Sequence, residues 1–323
     1  MHTAIPLTVL ATALACSLAT APAHARARVF VASYGDNNNP CTFGSPCKTF
    51  QQAVTVVDAG GEVTAIDSAG FGPINISKAV TITSPPGVEA GIVPNPASDA
   101  IVISAGPNDA VVLRGLTLNG SGVGGNGINF SSGGSLTVTD CVVQNFSQHG
   151  IMIQPSSGVN FLIRETILLK NAGVGINYAP PGSTTGRGTI DHVVANNNAF
   201  GIAIQLVQNA APTSVAITNS ITNENFSDGI YINYGASASN SAVVSVDSSH
   251  SNGNGNNGIT GTGTSLASAI LLGRSEIINN TNIGVFDSTN PDHFFSFANN
   301  QIYFNLGGEI GPGVLPQVPG LLH

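Results

Sequence analysis

Asn171-Ala172-Gly173-Val174-Gly175-Ile176 returns as Asn197-Asn198-Ala199-Phe200-Gly201-Ile202, and the recurrence constrains the architecture of the whole chain. An asparagine, three residues and then Gly-Ile or a near equivalent appear again at Asn225 before Gly229-Ile230 and at Asn254 before Gly258-Ile259. Asn280 precedes Gly284-Val285, and a weaker copy sets Asn305 before Glu309-Ile310. Successive asparagines stand 26, 28, 29, 26 and 25 residues apart. Self-similarity at a nearly fixed period marks units that bury their apolar faces only by stacking on one another.

Within each unit the pattern is short runs of β-branched and aliphatic residues, as at 63–66, 80–83, 136–139 and 215–218, broken by Gly, Asn, Pro and Ser. Strands this short, with no helical period between them, exclude βαβ units. A propeller blade of about 40–45 residues is longer than the repeat. A parallel β-helix fits: each coil turns through three strands, and equivalent residues of successive coils lie about 4.8 Å apart. A turn asparagine tolerates left-handed backbone angles and can bond its counterparts above and below. The predicted ladder is therefore Asn171, Asn197, Asn225, Asn254, Asn280 and Asn305. The glycine bends the chain into a strand whose isoleucine points inward, so Ile128, Ile151, Ile176, Ile202, Ile230 and Ile259 are expected to form one apolar spine.

The chain divides into a signal peptide (1–25), an N-terminal strand, loop and capping helix (26–61), the β-helix (62–310) and a Pro/Gly-rich tail (311–323). The first segment has no Lys, Arg, Asp or Glu, an apolar run from Ile5 to Leu18 too short to span a bilayer, and the cleavage signal Ala23-His24-Ala25. An exported chain, secreted or periplasmic or at the cell surface and without a transmembrane segment, is the expectation. Oxidising conditions then predict a Cys41–Cys47 disulfide, while Cys141 reads as a small buried hydrophobe. Ser45-Pro46 offers a helix start, Phe50, Ala53, Val54 and Val57 make one apolar stripe, and Gly60-Gly61 stops it. That helix is expected to cover the open end of the stack. Charged residues make up only 8%, but 42% hydrophobic residues argue for a core rather than disorder. Nine scattered basic residues and a net charge of −8 exclude a nucleic-acid surface.

The segments Phe30-Val31-Ala32-Ser33-Tyr34-Gly35-Asp36, Pro46-Cys47-Lys48-Thr49-Phe50-Gln51-Gln52-Ala53-Val54 and 66–76 resemble the start of secreted right-handed parallel β-helix proteins of the pectin-lyase-like superfamily. The repeat phrase extends the resemblance to about residue 310. It implies the fold, and polysaccharide chemistry only as a family-level expectation. The catalytic signatures of that superfamily do not carry over. Gln148-His149-Gly150 is a partial echo of the polygalacturonase set, and the Arg-x-Pro-x-x-Arg segment of pectate lyases is missing. Leu272-Gly273-Arg274 matches part of a pectin methylesterase motif, but Ser275-Glu276 follows where Pro-Trp is required.

Glycosidic hydrolysis needs two facing carboxyl groups, and lyase chemistry needs a base and a neutralised uronate, often through Ca²⁺ on Asp and Glu. Asp140, Glu165, Asp191, Asn219 and Asp247 precede their turn asparagines by five to seven residues and are predicted to stack as an acidic ridge, with Arg164 and His192 beside it. Carboxylates about 5 Å apart would raise one another's pKa or take a cation, so Ca²⁺ is the one cofactor suggested; no dedicated metal motif is present. The favoured reading of these acids is that each caps a corner by accepting backbone amides. Tyr231, expected to point outward, could stack on a sugar, and Asp228 and Glu224 lie nearby in sequence. His149 shares its place in the repeat with Asn126, Val174, Phe200, Asp228 and Asn257; a position so varied reads as solvent-facing. The expected function is binding of a polysaccharide or cell-surface partner along the lateral face. The alternative is a divergent polysaccharide lyase or glycoside hydrolase using the ridge. With no evident C-terminal cap, end-to-end self-association is a further expectation.

Overall fold

Short strands separated by left-handed corners wind the chain into parallel coils. The structure, a computed structural model, describes residues 26–182, 184–206, 211–235, 241–263, 268–288 and 294–311. Equivalent strands of successive coils stack into three sheets. Eleven strands run from Arg28–Val31 through Gly61–Ala65 to Phe294–Ser296, and ten run from Ile74–Ile76 to Gly308–Gly311. Six run from Ala69–Gly70 to Val194–Asn196, and single parallel bridges through Ile221 and His250 carry that side on to Glu276–Ile278 and Gln301–Tyr303. Every pairing between these strands is parallel, so the fold is a parallel β-helix.

The isoleucines that follow the glycines pair with one another from coil to coil. Ile74, Ile101, Ile128, Ile151, Ile176, Ile202, Ile230, Ile259 and Val285 form one column. All are buried. The spine therefore starts two coils earlier than the repeat phrase indicates. Burial of one such side chain contributes about 1.5–3 kcal/mol, and repetition along the stack makes the core continuous.

The asparagine ladder differs from its predicted membership at one rung. The Asn198 side-chain oxygen accepts both the backbone N–H (3.0 Å) and the side-chain amide (2.9 Å) of Asn171. Asn225 does the same for Asn198, Asn254 for Asn225, Asn280 for Asn254 and Asn305 for Asn280. Asn197 is not a rung. It has φ +58°, as Lys170 (+53°), Glu224 (+55°) and Asn279 (+56°) do, each being the left-handed residue just before a rung. Its side chain points to Glu224 Oε2 at 3.3 Å instead.

At the N-terminal end the helix is Phe50–Val56, and its N-cap is Thr49, whose hydroxyl accepts from Gln52 N at 3.2 Å. Ser45-Pro46 does not start it. Cys47 is held extended by the Cys41–Cys47 disulfide, by its N–H to Phe30 O (2.9 Å) and by Ala32 N to its own carbonyl (3.0 Å), so no helix can begin there. The helix buries Phe50, Ala53 and Val54 and packs on Arg28–Val31 and Ile74–Ile76. Cys141 is buried, and that burial pushes its thiol up to about 12, leaving it inert at neutral pH. The expected signal peptide and the tail from 312 onward lie outside the described residues. No helix among the described residues is long and apolar enough to cross a membrane.

Candidate functional site on the outer face of the eleven-stranded sheet

The predicted acidic ridge divides into two columns. Arg114, Thr139, Arg164, Asp191, Thr218, Asp247 and Gly273 align at the strand ends. Asp140 and Glu165 stand one residue later, with His192, Asn219, Ser248 and Arg274, all at φ between +48° and +56°. Measured to the true rungs, Asp191 and Asp247 precede Asn198 and Asn254 by seven residues, whereas Glu165 and Asn219 precede Asn171 and Asn225 by six. Counting from Asn197 places Asp191 six residues ahead, level with Glu165, which conceals the offset at that coil.

The acids are partnered by cations rather than stacked on one another. Arg114 Nε meets Asp140 Oδ2 at 3.3 Å, and Arg164 lies 3.2 Å from Glu165 and 3.6 Å from Asp191. Arg274 holds Asp247 through Nε–Oδ1 at 3.1 Å and through a second bond from Nη2 to Oδ2. Asp191 also accepts from Thr218 Oγ1 (2.7 Å) and Asn219 Nδ2 (2.9 Å), and its Oδ2 sits 2.9 Å from His192 Nδ1. Desolvation pushes its carboxyl up, but hydrogen bonds from Asn219, His192 and Thr218 and the His192 charge outweigh it and hold the pKa at about 2. Among the described residues no three His, Cys, Asp or Glu side chains converge as a group that could hold a metal ion.

The other sequence candidates do not assemble into one site. Tyr231 is half-buried, its ring 5.7 Å from that of Phe200 and its hydroxyl bonded near Thr262 and Asn233. Asp228 is buried and accepts from Asn256 Nδ2 (2.6 Å) and Asn257 N (3.0 Å); burial raises its carboxyl. Glu224 is exposed at its left-handed corner and bonds Asn197. His149 is half-buried rather than solvent-facing. Its Nδ1 accepts Val174 N at 2.9 Å, and burial lowers its pKa. Its column makes a second, interrupted ladder: Asp99 accepts from Asn126 N (2.6 Å), Asn126 from His149 N (3.1 Å), Asp228 from Asn257 N, and Asn257 from Ile283 N (3.1 Å), while Val174 and Phe200 break the series with apolar side chains. Where the column carries a rung it requires only an acceptor, which Asp, Asn and neutral His all supply.

Two concavities do lie on the outer face; of their residues only Asp247 and the Leu272-Gly273-Arg274 segment, both at the second, stand out in the sequence by charge or motif. A groove of about 820 Å³ follows the strand starts across six coils, from Asn108 to Val243. Ser135, Asn160, Arg187, Ser214 and Val243 align as its outward column, and Arg187 is exposed with no ion pair among the described residues. A pocket of about 400 Å³ lies at the strand ends of the last coils, lined by Ser245, Asp247, Leu271, Arg274, Phe297 and Asn299. Strand Ala242–Asp247 joins them, with Val243 in the groove and Ser245 in the pocket.

No family model matches the chain, and no curated protein does. Solved structures do. Pectate lyase Pel9A aligns at TM-score 0.52 and 15% identity, over 88% of this chain and 72% of that one. The fold is a parallel β-helix like that of this pectate lyase. Similarity also extends to a rhamnogalacturonan lyase (TM-score 0.45, 12% identity, 80% of this chain and 72% of that one). The A-module of the mannuronan C-5 epimerase AlgE4 of Azotobacter vinelandii gives TM-score 0.48 and 13% identity, over 80% of this chain and 91% of that one. At such identities the likeness concerns the fold alone, and the groove and pocket are properties of this chain's own side chains.

Proposed function

We propose that this β-helix is an exported protein that binds an extended polysaccharide, or a cell-surface component of that kind, along the outer face of its eleven-stranded sheet. The observation that carries this reading is the groove. At about 4.8 Å per coil, six coils give it a length of roughly 24 Å. Its column of hydroxyls, an amide and a guanidinium suits the hydroxyl-rich flank of a glycan chain. Repeat-built surfaces of this shape suit extended ligands. Electrophoresis of the mature protein through gels containing individual polysaccharides tests it. Wild type is expected to be retarded by at least one, and Ser214→Trp, which fills the groove from an exposed position, should migrate freely with an unchanged Tm. Equal retardation of the variant contradicts the groove as the site.

A second reading, divergent lyase chemistry, draws on Asp191 and His192. An imidazole 2.9 Å from an ionised carboxylate, with Arg164 3.6 Å from the same carboxylate, provides an oriented base and a cation for a uronate. It predicts unsaturated products from an acidic polysaccharide and loss of turnover in Asp191→Asn with little change in Tm. Retaining or inverting hydrolysis has less support, because the acids here face arginines rather than each other.

A further inference from the structure

The strand-end column of the eleven-stranded sheet carries a side chain on every coil from Thr83 to Asp247, and then Gly273. Gly273 is not among the glycines with positive φ, so the backbone conformation there does not require glycine. Space does. A Cβ at this position would come 2.9 Å from Asp247 Oδ1 and 3.2 Å from Phe297 Cδ2, with Asn299 Oδ1 at 3.7 Å. The missing side chain opens the pocket of about 400 Å³, a volume within the range of small-molecule sites.

The walls of that pocket are set by bonds made before any ligand arrives. Asp247 takes two hydrogen bonds from the Arg274 guanidinium, and Arg274 N donates to Asn299 Oδ1 at 2.9 Å. Phe297 (38% exposed) and half-buried Leu271 supply an apolar surface, and Ser245 adds a hydroxyl. The carboxylate and guanidinium cancel, so the pocket is polar at one wall, apolar at another and without net charge. A carboxylate-bearing ring would meet the Asp247 carboxylate with its counter-cation already engaged. An uncharged ring has no such conflict. Its hydroxyls can bridge the free lone pairs of Asp247 and the remaining N–H groups of Arg274, while its C–H face lies on Phe297 and Leu271.

We propose that the Gly273 pocket binds one neutral pyranose unit of a glycan whose chain runs on into the lateral groove. This rests on the reading of the outer face as a polysaccharide surface. The link between the two concavities is strand Ala242–Asp247, whose successive outward residues Val243 and Ser245 stand about 6.6 Å apart, one in each concavity.

The test uses the mature protein, titrated calorimetrically with cello-, manno-, xylo- and maltotetraose as neutral probes and with tetragalacturonate as the acidic one. Wild type is expected to bind a neutral tetraose. Gly273→Ala should weaken that binding by about tenfold or more and lower Tm slightly, since alanine can adopt the backbone angles but its methyl enters the pocket and displaces the Asp247 carboxylate. Phe297→Ala, which removes the apolar wall and adds no atoms, should weaken it likewise. Binding of tetragalacturonate alone, or unchanged affinity in both variants, overturns the proposal. Polysaccharide retention lost in Ser214→Trp but intact in both pocket variants overturns the pocket while sparing the groove. Absence of any glycan binding by wild type overturns both.

Discussion

At position 149 a histidine fills the role that asparagine fills one coil earlier, and its chemistry makes that role depend on pH. Nδ1 must be unprotonated to accept Val174 N–H, and burial lowers the pKa below its ordinary value. The unfolded imidazole titrates near 6.5. The stabilisation is therefore complete above about pH 6.5 and declines as pH falls from there toward the folded-state pKa, because the unfolded chain binds the proton more readily. His149→Asn retains an acceptor and cannot titrate, so its Tm should fall less than that of wild type between pH 7 and 5; parallel profiles would sink the assignment. The ladders also show where a sequence is ambiguous. Isoleucine columns can be read because the apolar type repeats, but Asn197-Asn198 offers two candidates for one rung, and only the coil-to-coil bonds decide. Asn198→Ala should cost about 2 kcal/mol, as buried amide groups lose their partner, whereas Asn197→Gly, at a left-handed residue, should stay within about 0.5 kcal/mol. Equal losses in chemical denaturation would contradict the revised ladder.

Among elements, strands were easier to anticipate than the helix start. β-branched runs such as 215–218 became strands because alternate residues have a core to enter, as the buried Val215 and Ile217 show. Ser45-Pro46 has the residue types of a helix start, yet the disulfide and the Cys47 backbone bonds place it on an extended segment. Thr49 carries the cap, so Thr49→Ala should cost about 1 kcal/mol in urea unfolding and Ser45→Ala little. The reverse order would restore the earlier start. The strand-end corners are ambiguous in sequence for a related reason. Asp140 and Asp191 are both acids near a turn, but one occupies the left-handed corner and the other the last strand position.

For the molecule as a whole, the repeat period specified the fold, because only stacked coils bury a face that recurs every 25 to 29 residues. The candidate site had no comparable signal. The groove is lined by serines, asparagines and an arginine with no ion pair among the described residues, and the pocket stands out only once the coils are aligned and Gly273 falls in a column of larger side chains. Charge drew attention to the ridge instead, where arginines already hold the acids. The most direct measurement is hydroxyl-radical footprinting of residues 26–323 with and without a polysaccharide that retards them. Lateral-face binding predicts protection at Val243, Leu271 and Phe297, and none at Tyr231 or at Phe226, which is 79% exposed on another side of the coil. Protection centred on Tyr231 and Phe226, with Val243, Leu271 and Phe297 unchanged, would contradict it.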